Sequence, residues 1–94
     1  MRLVIIGGGN MGGAILLALV KAEIISPENI LLIEQDEEKR VNLTKTTNCL
    51  SQSEIDETIR GYDLLILSVK PQGATPAMEL LAQWILPNQL VISV

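Results

Sequence analysis

The sequence predicts an α/β fold: about five parallel strands in a doubly wound sheet, with helices packed on both faces. Three observations carry this expectation. Short runs of Leu, Ile and Val alternate with helix-length stretches along the chain. The runs are continuous rather than alternately polar, as in strands buried on both faces. The first run passes directly into Gly7-Gly8-Gly9-Asn10-Met11-Gly12, a G-x-G-x-x-G turn from strand to helix.

Leu3–Ile6 is the first strand and Asn10–Ala22 the helix after the glycine turn. Ile30–Ile33 is a second strand, followed by a helix over Asp36–Thr46 whose acids precede its bases, as the helix dipole favours. Asp36 is the expected N-cap of that helix. A short strand is expected over Cys49–Ser51, then a helix over Ser53–Arg60 that opens with a Ser-x-x-Asp capping pattern. Leu64–Val69 is the clearest buried strand, being nearly all Leu, Ile and Val. Thr75 and Pro76 suit the N-cap and first position of a helix running to about Leu86, stopped by Pro87-Asn88. Leu90–Val94 is the last strand, and its edge should promote association.

The 94 residues suit one domain with one small core. Trp84 and Tyr62 are the only aromatics in a chain that is 48% hydrophobic, so aliphatic side chains must build that core. Met78 and Trp84, six residues apart on the last helix, are expected within it. A net charge of −4 argues against a nucleic-acid footprint. The lone Cys49 cannot form an intrachain disulfide and reads as a small core residue, which makes a reducing cytoplasm the default. No His or Cys cluster has metal-ligand spacing, and the absence of His removes the commonest proton-transfer side chain. Ala14–Val20, the longest apolar stretch, is too short to span a membrane, and a strand beginning at Arg2 leaves no room for a signal peptide.

The glycine turn has the form of a dinucleotide pyrophosphate site. Gly7 allows a tight reversal after the strand, Gly9 lets the backbone approach phosphate, and Gly12 lets the helix lie against the strand. The N–H groups of Asn10 and Met11 belong to the same turn, and the Asn10 side chain is also a candidate helix cap. In an acidic chain, backbone amides at a helix N-terminus are the expected anion ligands. Glu34 ends the second strand twenty-two residues beyond Gly12, where a carboxylate can accept hydrogen bonds from the adenosine ribose or simply be solvated. The first reading favours NAD, because no Arg or Lys follows before Lys39. Lys70 lies just past the fourth strand, in a segment, Ser68-Val69-Lys70-Pro71-Gln72, too apolar and stiff for a casual loop.

These residues carry a family resemblance. With Ile6-Gly7-Gly8-Gly9-Asn10-Met11-Gly12-Gly13-Ala14-Ile15 and Ser68-Val69-Lys70-Pro71-Gln72 together, the chain resembles the N-terminal domain of pyrroline-5-carboxylate reductases. Pro27-Glu28-Asn29-Ile30 and Leu90-Val91-Ile92-Ser93 extend the likeness over essentially the whole chain. The resemblance implies a Rossmann-type domain over residues 1–94 that binds NADH or NADPH. It also implies reduction of the C=N bond of 1-pyrroline-5-carboxylate to proline, the last step of proline synthesis. The segment Val69-Lys70-Pro71 would run beside the nicotinamide and its ribose. Substrate contacts and homo-oligomerisation would belong to a C-terminal helical domain, so the chain reads as a fragment truncated before it and inactive alone.

Two departures bear on the cofactor. Many relatives have an Arg where this chain has Gln35, which with Glu34 tilts the expectation slightly toward NADH. Relatives also often carry Asp-Asn where this chain has Gln52-Ser53, and that adenosine contact is not carried over. Two alternatives stand beside the reductase: a freestanding NAD-sensing or interaction module, and the ADP-binding segment of a flavoprotein. Catalytic residues are not identifiable.

Overall fold

The computed structural model describes residues Met1–Val94. Five parallel strands form one sheet in the order β3-β2-β1-β4-β5, with β1 Leu3–Ile6, β2 Ile30–Ile33, β3 Leu50–Gln52, β4 Leu64–Leu67 and β5 Leu90–Ser93. The helices are α1 Asn10–Lys21, α2 Glu37–Thr47 and α3 Pro71–Trp84, with short 3-10 turns at Pro27–Asn29 and Glu57–Gly61. The doubly wound Rossmann-type arrangement expected from the alternation is therefore present.

The apolar runs divide between two faces because successive side chains of a strand point opposite ways. Val4 and Ile6 join Leu31, Ile33, Leu65 and Leu67 beneath Ile59, Tyr62 and Leu81. Leu3 and Ile5 join Ile30, Leu32, Ile66 and Cys49 beneath Leu16 of α1. All four residues of β1 and of β2 are buried, and each such Leu or Ile stabilises by roughly 1.5–3 kcal/mol relative to exposure. Cys49 lies in this core as expected, and burial pushes its thiol pKa up, with the Thr47 hydroxyl opposing. The edge strand β5 leaves Leu90 and Ile92 exposed.

Several boundaries differ from the expectation. The strand expected over Leu64–Val69 ends at Leu67, and Ser68 and Val69 lead out of the sheet. The third helix begins at Pro71 rather than Pro76, with Lys70 as its N-cap, so Pro76 lies inside it. Both prolines are sterically acceptable at a first helical position, and β4 decides between them by ending where its neighbours end. Met78 is exposed, because Ala77, Leu81 and Trp84 form the inward face of α3 and a separation of six residues puts Met78 on a different face from Trp84; only Trp84 of the expected pair packs on the core. Arg60 stacks over Trp84 at 5.6 Å and donates from Nε to its carbonyl.

The α-helix expected over Ser53–Arg60 is replaced by the 3-10 turn, capped by Asp56 instead of Ser53. The Asp56 carboxylate accepts from Thr58 N–H at 2.9 Å and from Gln52 Nε2 at 3.0 Å. Its pKa is held below the ordinary carboxylate value by the Thr58 hydroxyl first, then the Gln52 amide and the Thr58 N–H. A depressed folded pKa stabilises above the unfolded pKa, and that contribution is lost as pH falls through the folded one. Asp56→Ala is therefore expected to lower thermal stability at neutral pH but to lose less on acidification; parallel melting curves across the acid range would contradict this.

Candidate functional site

The strands end together at their carboxyl edge. Gly7 N–H donates to Ile33 O and Ser68 N–H to Ile6 O, each at 2.8 Å, while Glu34 N–H donates to Gln52 O at 3.1 Å. β1 lies between β2 and β4, so the connections leave it in opposite directions and open a crevice there, the usual ligand position in such sheets. A cavity of about 480 Å³ occupies this crevice, within the roughly 300–1,000 Å³ typical of ligand sites. Gly7, Gly9, Glu34 and Gln35 form one side, Ser53–Ile55 the end beyond β3, and Ser68, Val69, Lys70 with the first turns of α3 the other side.

The three motif glycines have different reasons to be glycine. Gly7 has φ +98°, and a Cβ there would stand 2.0 Å from Ser68 O. At Gly12 a Cβ would stand 1.9 Å from Gly7 O, so the start of α1 is pressed against the turn. Gly9 is the contrast: φ −72° and ψ −159° suit any residue, and a Cβ would meet nothing within 4 Å. Its lack of a side chain keeps space open at the cavity rather than relieving a clash.

Gly9, not Asn10, is the N-cap of α1, and no side chain caps the helix. Asn10 is the first helical residue, which corrects its candidacy as a cap. The bond from Gly13 N–H to Gly9 O, 2.8 Å, opens the helical ladder, and the N–H groups of Asn10, Met11 and Gly12 precede it without an intrahelical partner. They sit at the positive end of the helix dipole, where Gly9 meets the cavity.

Residues 2–94 match the family described as NADP oxidoreductase, coenzyme F420-dependent. The chain belongs to this family. It is 34% identical over 89 residues to a pyrroline-5-carboxylate reductase of Methanosarcina acetivorans, covering 95% of this chain and 33% of the relative. With pyrroline-5-carboxylate reductase 1 of Bacillus spizizenii it shares 30% identity over 94 residues, covering 99% of this chain and 32% of the relative. Its fold superimposes on the structure of a pyrroline-5-carboxylate reductase from Coxiella burnetii with a TM-score of 0.90 at 24% identity, covering 99% of this chain and 34% of that one. The resemblance read from the two motifs is thus borne out, and the chain spans about a third of the length of the relatives it matches.

Of the residues singled out in this member of the family, Gly7, Gly9, Glu34, Val69 and Lys70 line the cavity. Asn10, Met11, Gly12 and Pro71 do not, although Asn10, Met11 and Gly12 form the adjoining first turn of α1 and Pro71 opens α3. Glu34 is neither simply solvated nor unattached. Its Oε1 accepts from Gly8 N–H at 2.7 Å and its Oε2 from Asp36 N–H at 2.8 Å, while Arg40 Nη1 donates to its carbonyl at 2.8 Å. Asp36 caps α2 as expected, accepting from Lys39 N–H. Ser53, Glu54, Ser68, Gln72 and Lys39 also line the cavity and were not expected there. For Ser53 and Ser68 a signal existed in their place just past strand ends, where Glu34 also sits.

No helix is long and apolar enough to cross a membrane, and no group of three or more His, Cys, Asp or Glu could hold a metal ion.

Proposed function

We propose that residues 1–94 are the dinucleotide-binding domain of a reductase that transfers hydride from NADH or NADPH to the C=N bond of 1-pyrroline-5-carboxylate, giving proline. The observation that carries this reading is the first turn of α1: amides without intrahelical partners beside an open Gly9, at the carboxyl edge of the sheet. A diphosphate fits there, because backbone N–H groups and the helix dipole supply what an acidic chain lacks in cations. Gly7, Gly9, Asn10, Met11 and Gly12 would hold the diphosphate, Glu34 the adenosine ribose, and Val69, Lys70 and Pro71 the nicotinamide end. When bound, reduced nicotinamide supplies the hydride; the chain supplies position and electrostatics. A substrate nitrogen that is already protonated accepts hydride without a strong base, in keeping with a chain that has no His.

NADH is the slightly favoured cofactor in this reading. Two amides fix the Glu34 carboxylate at the mouth of the adenosine side, where its charge opposes a 2′-phosphate, and Gln35 offers no compensating charge. Substrate contacts and homo-oligomer formation are assigned to a C-terminal helical domain of the full-length protein. The assembly is placed in the cytoplasm, with neither membrane nor nucleic acid as a partner.

Titration of NADH and NADPH should show saturable binding of both, and full-length protein should form proline as the nicotinamide is oxidised. Absence of binding would refute the reading. Glu34→Ala should weaken NADH about tenfold, the order expected for hydrogen bonds to a charged group, while narrowing its advantage over NADPH. Gly8 N–H loses its partner in the same variant, so some loss for both cofactors is expected; an unchanged NADH to NADPH ratio would count against the ribose role.

A further inference from the structure

The two edges of the sheet are finished differently. β3 is only three residues long and runs on toward Glu54 and Asp56, the brevity and charge with which exposed edges are usually blunted. β5 has neither protection. It pairs with β4 along all four of its residues, holds no proline, and lies within a stretch, Leu80 to Val94, that has no charged side chain in a chain of net charge −4. Leu90 and Val94 N–H donate inward to Asp63 O and Leu67 O, at 3.2 and 3.0 Å, so the alternate backbone groups, those of Val91 and Ser93, face out from the sheet. Leu90, Ile92 and Val94 are 59%, 40% and 54% exposed. With Leu81 turned to the core and Leu80 lining the cavity, Met78, Ala82 and Ile85 lie along the opposite flank of α3, exposed beside β5.

We propose that β5 is a homodimer surface: two copies of residues 1–94 pair antiparallel through it about a two-fold axis at Ile92, joining their sheets into one. In that register Val91 and Ser93 of each copy exchange N–H···O bonds with Ser93 and Val91 of the other, and Ile92 meets Ile92 at the closer, non-hydrogen-bonded position between them. Leu90 falls opposite Val94, so every cross-strand pair on that face is apolar. A two-fold axis normal to the sheet keeps both α3 helices on one face, where their Met78, Ala82 and Ile85 flanks meet over the joined strands. Two acidic chains repel, and contact costs least at this uncharged stretch. One strand edge and one helix flank fall short of the roughly 20–30 residues per partner of a standard interface, so the dimer is weak, with a Kd on the order of 10–100 µM. The pairing does not depend on the dinucleotide reading, since this flank lies away from the cavity.

Sedimentation velocity of the native chain from about 5 to 500 µM provides the test. The sedimentation coefficient should rise from the monomer value to the dimer value and no further, because β3 offers no second edge. Ser93→Pro removes an outward N–H and no bond to β4, and edge strands tolerate proline at such a position, so this variant should keep native circular dichroism and stay monomeric. Ile92→Lys sets two ammonium groups against each other at the axis and should be monomeric as well, as should Ile92→Glu, whereas an equimolar mixture of these two variants should dimerise. A native chain that stays monomeric at the top of the range would overturn the proposal and leave the β5 edge to another segment or a different partner. A dimer that persists in both Ser93→Pro and Ile92→Lys uses another surface and overturns it equally.

Discussion

A Gly9→Val variant is expected to retain the native fold while losing dinucleotide affinity by about a hundredfold or more. Retention follows from the backbone, since Gly9 is extended with a negative φ of −72° and needs no left-handed conformation, and from the open space around the missing Cβ. Loss follows from the same openness. The added side chain would stand where the residue meets the cavity, holding a diphosphate away from the N–H groups of Asn10, Met11 and Gly12. Each charge-assisted hydrogen bond so lost is worth about 1.5–3 kcal/mol, and two of them account for the expected factor. Circular dichroism and thermal melting should match the native protein, and calorimetric titration of NADH should give no measurable heat at concentrations that saturate it. Unchanged affinity in a folded variant would remove the diphosphate from the α1 terminus.

Gly12→Ala should fail in the opposite way, through the fold. Its Cβ would lie 1.9 Å from the carbonyl oxygen and 3.1 Å from the carbonyl carbon of Gly7, both backbone atoms. Gly7 cannot retreat freely, because its own φ of +98° and its closeness to Ser68 O already fix the turn. Separation of α1 from β1 is the remaining relief, and it would disturb the packing of Leu16 on Leu3 and Ile5. A loss of about 3 kcal/mol or more is expected, a large share of the roughly 5–14 kcal/mol available to a domain of this size. In a thermal melt that corresponds to a decrease of about 12 °C or more. A variant melting within a few degrees of native would show that the turn has slack the structure does not reveal.

The contrast between these glycines shows what a sequence motif holds and what it leaves out. G-x-G-x-x-G with a preceding apolar run identifies the turn, but only the packing separates Gly7 and Gly12, which the fold requires, from Gly9, which it does not. β1, β2 and β4 were legible because each is a continuous Leu, Ile and Val run, and α2 because Asp36 precedes a helix with acids first, whereas β3, Leu50-Ser51-Gln52 at the sheet edge, lies one residue later than the expected Cys49–Ser51. The start of α3 was not, since Pro71 and Pro76 satisfy the same local rule and the choice depends on where β4 stops against β1. Met78 faces outward for a separate reason: six residues from Trp84 on a helix of about 3.6 residues per turn, it lies on a different face. Ser53 carried a capping pattern, yet Asp56 caps the turn through Thr58 and Gln52, and Ser53 lines the cavity instead. The grip on Glu34 escaped sequence reasoning for a simpler reason: Gly8 is 26 residues away, and only the pairing of β1 with β2 brings them together.

Amide-resolved nuclear magnetic resonance during an NADH titration tests the diphosphate placement most directly. The N–H signals of Gly9, Asn10, Met11 and Gly12 should move furthest and together, with smaller shifts at Glu34 and Lys70. Shifts concentrated at the amino edge of the sheet, around Ile25 and Pro27–Asn29, with the α1 terminus unmoved, would contradict it.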